Sequence, residues 1–400
     1  MNRQDVREMP VAGVGLNRGE VLVPTQIYDP MHGPLSCPAA PLVAGSLQAK
    51  GRPSRLAELP PDVDGATDAR LFLVTCAHDD GGAVGIAAAA APGDALSASA
   101  ARSAVEEWAA VSGTRSLFIA GTPWCNGALH GANAASQAVA ENRDNGHRVH
   151  VLTPGAMPAE STAALIADGA LIADSLDGIE AGDVVVFPAQ GVTPAVRAEA
   201  ARRGATVVDA TCPIVAVAQT GAARTAERGH QLVLIGPPDH AATEPITSQV
   251  PGQVTAVDTP GNTNAVAASD SRPISYLVQP GLTLEAGAAI VSALRSRYPA
   301  ARQAVPAEVC YAPSDRAGTI YSVALSSDLM LVVGDPRSAD ARQICGLARD
   351  SGTRVHLIGA VGDIRPAMLA SVHTIGLAES TSAGAGLAAQ VLTALSGLGR

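Results

Sequence analysis

The sequence predicts an α/β protein built from parallel sheets, and two observations carry the prediction. From about residue 114 onward short apolar runs, Gly/Pro turns and amphipathic runs alternate, which is the pattern of strands joined by crossover helices. Two segments, GDVVVFPAQGVTPAVRAEAARRGATVVDA and SDLMLVVGDPRSADARQICGLARDSGTRVHLIG, also share one order of strand, glycine turn, helix, glycine and strand, as a repeated α/β unit would. Taken in order, the strands are SLFIA (116–120), RVHVL (148–152), DVVVF (183–187), TVVDA (206–210), QLVLI (231–235), ISYLV (274–278), LMLVV (329–333) and RVHLI (354–358). Each is four to six residues, rich in β-branched or aliphatic side chains and bounded by turn formers. Helical patterns lie between them, such as TPAVRAEAARR (193–203) and TLEAGAAIVSALRSRY (283–298).

Residues 1–113 read differently. Proline-rich loops (24–43 and 52–65) surround one strand, LFLVT (71–75), and a helix pattern follows at 97–112. This stretch is expected to be a separate, smaller N-terminal domain. Its segment GEVLVPTQIYDP…CPAAPLV resembles the nucleoside-phosphorylase-like pieces fused ahead of some reductases, cut too short for a phosphorylase, so a structural or oligomerisation role is expected.

The 400 residues exceed one ordinary core. A net charge of -10 argues against a nucleic-acid partner. No stretch reaches the roughly 20 apolar residues of a membrane span, and MNRQDVREMP lacks the apolar core of a signal peptide. A cytoplasmic protein is the expectation.

The chain carries Cys37, Cys76, Cys125, Cys212, Cys310 and Cys345 without a CxxC pair, so zinc-ribbon readings fail. Cys125, Cys212 and Cys310 are spaced 87 and 98 residues apart (212 − 125 and 310 − 212). That is the scale of whole α/β units, and spacing alone fits either a shared metal site or three unrelated core thiols. In VVDATCPIV (207–215) Pro213 disfavours helix at Cys212 and favours one starting after it. The thiol is placed in a strand-to-helix turn, where open α/β sheets keep their chemistry.

Four motifs carry a resemblance. VVVFPAQGVTPAVRAEAARRGATVVDATCPIV resembles the run through the DATCP cysteine of the LytB/IspH family, the 4-hydroxy-3-methylbut-2-enyl diphosphate (HMBPP) reductases. VCYAPSDR (309–316) is similar to its ICYAT-x-NRQ, LMLVVGDPRSADARQI to its VVGSxNSSNSxRL, and TIGLAESTSAGAG to its TAGASAP segment. The resemblance spans about 116–398. It implies three parallel-sheet α/β units, 114–212, 213–308 and 309–400, in a pseudo-threefold arrangement around a central 4Fe-4S cluster. Cys125, Cys212 and Cys310 match the cluster ligands, leaving one iron open for substrate.

Substrate positions depart from the family. Two of its three histidines fall on Met157 and Gln190, and the third survives as His240. Ser338 and Ser382 survive, and the family asparagine becomes Asp340. The HPE motif becomes His240-Ala241-Ala242, losing its carboxylate, with Glu244 two residues on. The TQTT motif becomes Val278-Gln279-Pro280-Gly281. Catalysis is accordingly assigned to His240 and Glu244, and substrate binding to His240, Gln279, Ser338, Asp340 and Ser382. A like charge at 4 Å and an effective dielectric near 20 costs a diphosphate about 4 kcal/mol. The expected function is therefore reductive dehydroxylation of a small allylic or polar metabolite other than HMBPP, with electrons from a ferredoxin- or flavodoxin-type donor and a homodimeric assembly. Authentic HMBPP reduction, non-redox cluster chemistry (hydration or sulfur transfer) and a non-catalytic cluster protein are the alternatives.

Overall fold

The computed structural model describes residues 5–12, 14–59, 67–77, 82–152, 157–250, 252, 254–267, 272–305 and 310–399. They form two compact units, Met1–Gly121 with Thr319–Arg400, and Thr122–Gly318. Residues 60–65 of the second proline-rich stretch, and Val309, lie outside the described residues.

The first unit begins with a six-stranded mixed sheet where loops around a single strand, 71–75, were expected; that strand lies within β5. Its strands are β1 (Arg7–Ala12), β2 (Val21–Asp29), β3 (Gly33–Ser36), β4 (Ser54–Glu58), β5 (Thr67–Ala77) and β6 (Ala83–Ala90), in spatial order β1-β5-β6-β3-β2-β4. Helices α1 (Ala40–Ala49) and α2 (Ala95–Ala110) pack on it. Two sequence features hid the other strands. Pro24 stands inside β2, at the point where the register against β4 shifts between Pro24 and Gln26, and such irregularities tolerate a missing N–H. The alanine-rich β6 is buried along nearly its whole length, so it shows no period-2 alternation. The next strand, β7 (Ser116–Ile119), leaves this sheet altogether.

The second unit holds two parallel four-stranded sheets. The first contains β8 (Val149–Leu152), β9 (Leu171–Ala173), β10 (Val184–Phe187) and β11 (Thr206–Asp209), ordered β11-β10-β8-β9, with helices α3 (Asn126–Asn142), α4 (Ala159–Ala167) and α5 (Pro194–Arg202). The second contains β12 (Gln231–Ile235), β13 (Val254–Val257), β14 (Ile274–Val278) and β15 (Arg302–Gln303), ordered β13-β12-β14-β15. Its helices are α6 (Pro213–Glu227), α7 (Thr243–Thr247) and α8 (Leu284–Arg297). Helix α9 (Ala312–Leu325) then carries the chain back to the first unit's residues.

There β16 (Leu329–Val333), β17 (Arg354–Ile358) and β18 (Thr374–Glu379) pair in parallel, with β7 on the far side of β18, in the order β17-β16-β18-β7. Helices α10 (Ala339–Asp350), α11 (Pro366–Leu369) and α12 (Leu387–Ser396) complete it. The unit boundary expected at 114 therefore cuts differently: β7 is a strand of the last sheet, not of the one formed by β8–β11.

Nor is the N-terminal stretch separate. Leu42, Leu47, Trp108 and the strands of the six-stranded sheet share one apolar core with Leu329, Leu331, Ile375 and Val391. Helix α1 closes on the turn at Val361–Asp363 so tightly that a Cβ on Gly45 would lie 2.3 Å from the Gly362 Cα. No helix among the described residues is long and apolar enough to cross a membrane.

Candidate active site

Each of the three widely spaced cysteines stands at the start of a helix. Cys125 is the N-cap of α3, and its sulfur accepts the Ala128 N–H at 3.4 Å. Cys212 is the N-cap of α6 with Pro213 in the first turn, the strand-to-helix turn that its sequence predicts. Cys310 lies two residues before α9, and its sulfur accepts the N–H groups of Ala312 and Gly281. Unpaired N–H groups at helix starts favour an anionic sulfur.

All three belong to the second unit, and they converge. A Cβ on Gly127 would stand 3.0 Å from the Cys212 Sγ and 3.7 Å from the Cys125 Sγ; the pair flanks a wall with no side chain. Burial, and then the charges of Cys125 and Cys212, push the Cys310 thiol up, against the two N–H donors. As thiolates, three sulfurs brought together in this way would repel one another, and a cationic group between them would relieve that repulsion.

Among the described residues no three His, Cys, Asp or Glu side chains meet on a single ion. A cluster makes no such demand, because each thiolate takes its own iron. Three thiolates at helix starts around a side-chain-free wall fit a 4Fe-4S cluster with one iron left without a protein ligand. The remaining cysteines are different: Cys37, Cys76 and Cys345 are buried, and burial pushes all three up, Cys37 to about 12.

The Cys212 turn is braced from behind. The Asp209 carboxylate accepts the Thr211 N–H (3.1 Å) and hydroxyl (2.5 Å), and Arg197 donates to Asp209 (2.5 Å) and Thr211 (3.4 Å). Burial raises the Asp209 pKa, and these donors outweigh it, leaving the carboxyl below its ordinary value. The Cys212 N–H itself is tied to the Ala189 carbonyl at 2.8 Å.

His240 and Gln279 share the same unit. The His240 Nδ1 accepts the Ala242 N–H at 3.1 Å, so the neutral ring carries its proton on Nε2. Burial lowers its pKa, with Asp239 opposing. Its Nε2 lies 2.6 Å from where a Cβ on Gly281 would stand, beside the residue whose N–H reaches Cys310. Gln279 directly follows β14, is 2% exposed, and has Oε1 3.2 Å from the Thr243 hydroxyl while Nε2 has no hydrogen-bond partner. Glu244 is exposed in the first turn of α7. Ala242 is fully buried among Ile246 and Leu277, and Met157 packs in the core of the β8–β11 sheet.

Ser338, Asp340 and Ser382 belong to the first unit and gather beyond the ends of β16 and β18. Ser338 caps α10 through the Ala341 N–H (3.4 Å). Ser382 accepts the Asp335 N–H (3.0 Å) and pairs with the Ser380 hydroxyl (2.7 Å). Asp340 accepts the Thr381 N–H (2.8 Å) and hydroxyl (3.0 Å). Arg337 pairs with Asp335 at 2.9 Å. Sequence reasoning missed Gly127, Gly281 and Thr381; the first two act by lacking a side chain, and the third lies 41 residues from its partner.

The family model described as LytB protein matches residues 118–396. The chain belongs to the LytB family. It is accordingly an oxidoreductase of the LytB type, in a family that uses a 4Fe-4S cluster in isoprenoid biosynthesis. Over 233 residues it is 41% identical to 4-hydroxy-3-methylbut-2-enyl diphosphate reductase 1 of Mycobacterium tuberculosis, spanning 57% of this chain and 71% of the relative. Over 231 residues it is 35% identical to the reductase of the same name from Bordetella pertussis, spanning 58% and 71%. The solved E-1-hydroxy-2-methyl-but-2-enyl-4-diphosphate reductase of Plasmodium falciparum superposes with a TM-score of 0.60 at 20% identity, covering 70% of this chain and 87% of that one. A second solved structure, of (E)-4-hydroxy-3-methyl-but-2-enyl diphosphate reductase, the terminal enzyme of the non-mevalonate pathway, gives 0.54 at 18% identity, covering 71% and 99%. These likenesses show the α/β fold of the LytB members. The family match begins only at residue 118, beyond the six-stranded sheet.

Proposed function

We propose that the protein reduces 4-hydroxy-3-methylbut-2-enyl diphosphate, replacing the allylic hydroxyl by hydrogen: substrate, two electrons and two protons give the dehydroxylated diphosphate and water. The observation that carries the reading is the convergence of Cys125 and Cys212 on Gly127, with Cys310 close enough to feel both. The names of the relatives support the substrate, and they weigh against the other metabolite expected from the altered pocket.

Cys125, Cys212 and Cys310 would hold the cluster, which when bound would supply single electrons and a Lewis-acidic iron. His240, held neutral, donates through Nε2–H to an oxygen of the substrate and so orients it; the Gln279 amide is a second donor. With Ala242 apolar and Glu244 exposed, water delivers the protons. Ser338 and Ser382 are the proposed diphosphate donors, and Asp340, engaged by Thr381, tightens their loop. A ferredoxin- or flavodoxin-type protein supplies the electrons, and the enzyme acts as a cytoplasmic homodimer.

A second reading keeps the chemistry and changes the substrate. It rests on Met157, which packs in the core of the β8–β11 sheet at a position where the family pattern has a histidine. Anaerobic reconstitution followed by turnover of HMBPP with a dithionite-reduced mediator separates the two. The first reading expects a cluster spectrum and loss of hydroxyl from HMBPP, with both abolished in C212A. A cluster-bearing protein inert toward HMBPP transfers the case to the second, and a wild type without a cluster spectrum ends both.

A further inference from the structure

Gly281 touches the site from two directions. Its N–H reaches the Cys310 sulfur, and the place its Cβ would occupy is filled by the His240 ring, with Nε2 at 2.6 Å and both Cδ2 and Cε1 at 3.2 Å. Its φ of +102° is one that side-chain-bearing residues rarely adopt. We propose that Gly281 is a positioning residue that sets the third cysteine sulfur and the His240 imidazole together, the first by its N–H and the second by the space it leaves.

The inference rests on the reading of the three cysteines as cluster ligands. An N–H donated to a ligating sulfur stabilises the more negative, reduced cluster, and raises its potential. A methyl at 281 collides with an imidazole that is anchored from the other side by the Ala242 N–H. The ring cannot retreat freely, so residue 281 shifts and its N–H swings off the sulfur. One residue thereby couples the electron-supplying end of the site to the group that orients the substrate oxygen.

Backbone strain alone needs a control, and Gly229 provides one. It has φ +68°, belongs to the same unit, and a Cβ there meets nothing within 4 Å. Reconstituted wild type, G281A, G229A and H240A/G281A would be compared by redox titration followed by EPR. G281A is expected to move the one-electron equilibrium about tenfold toward the oxidised cluster, or about 59 mV, and to lower kcat more than it raises KM. G229A should stay within about twofold of wild type. Removing the ring in H240A/G281A should return most of the potential while turnover remains lost. A G281A potential equal to wild type, an equal shift in G229A, or no recovery in the double variant would each overturn the proposal while the cluster reading stands. A wild type without any cluster spectrum would overturn that reading and the proposal with it.

Discussion

His240 ties pH to stability through one hydrogen bond. Its Nδ1 accepts the Ala242 N–H, an arrangement that protonation would destroy, and burial lowers its pKa with Asp239 opposing. The unfolded histidine titrates near pH 6.5, so between that value and the lower folded one the unfolded chain binds more protons. The contribution is therefore complete above about pH 6.5 and is lost as pH falls through the folded value. Thermal midpoints of wild type and H240Q, taken from pH 7.5 to 5, should show the wild type falling more steeply below pH 6.5; parallel curves would contradict this. The carboxylates separate cleanly from that window, because their own losses come further down, Asp94 at about 2 under the Gly19 and Ser97 N–H groups. The position of Cys212 was legible from Pro213, since proline acts on the local backbone that a sequence displays. The partnership of His240 with Gly281 was not, because a missing Cβ matters only once two distant turns meet. The tie between Asp340 and Thr381 was not legible either, because Thr381 reaches it from another loop.

Helix α1 illustrates why glycines in similar helices behave oppositely. Gly45 faces the backbone of Gly362, whose Cα and carbonyl oxygen lie 2.3 and 2.4 Å from a Cβ there, and neither can move without the turn. Gly346, inside α10, would place the same methyl in open space. G45A should accordingly destabilise by about 1–3 kcal/mol through overpacking, and G346A should stabilise by about 0.5–1 kcal/mol through helix propensity. Urea midpoints measure both, and a gain from G45A would refute the backbone-to-backbone contact. Strands of the parallel sheets were readable because they are short apolar runs cut by glycine and proline: 231–235, 274–278, 329–333 and 354–358 coincide with β12, β14, β16 and β17. Of the six-stranded sheet only LFLVT (71–75), inside β5, was readable; the others were not. A proline at a register shift and a run of buried alanines both mask the period of two, and only pairing with distant strands reveals them.

The N-terminal sheet and the C-terminal one share a single apolar core. Trp108 is fully buried and donates through Nε1 to the Ser46 hydroxyl at 2.9 Å, locking α2 to α1, while α1 rests on the turn that follows β17. Leu329, Leu331, Val333, Ile375 and Leu377, all 2% exposed or less, lie in the same core as those helices. A chain starting at residue 114 would return much of that surface to water, at about 25 cal/mol for each Å² of apolar area. It would also present a contiguous apolar patch of the kind that drives association. The 114–400 protein should therefore aggregate, or unfold well below the full chain, in size-exclusion chromatography and thermal melts. The same experiment discriminates between an appendage and a structural partner. An independent domain can be removed without moving the melting of the remainder, so a truncated protein that stays monodisperse and melts like the full chain would restore the separate domain that composition suggested.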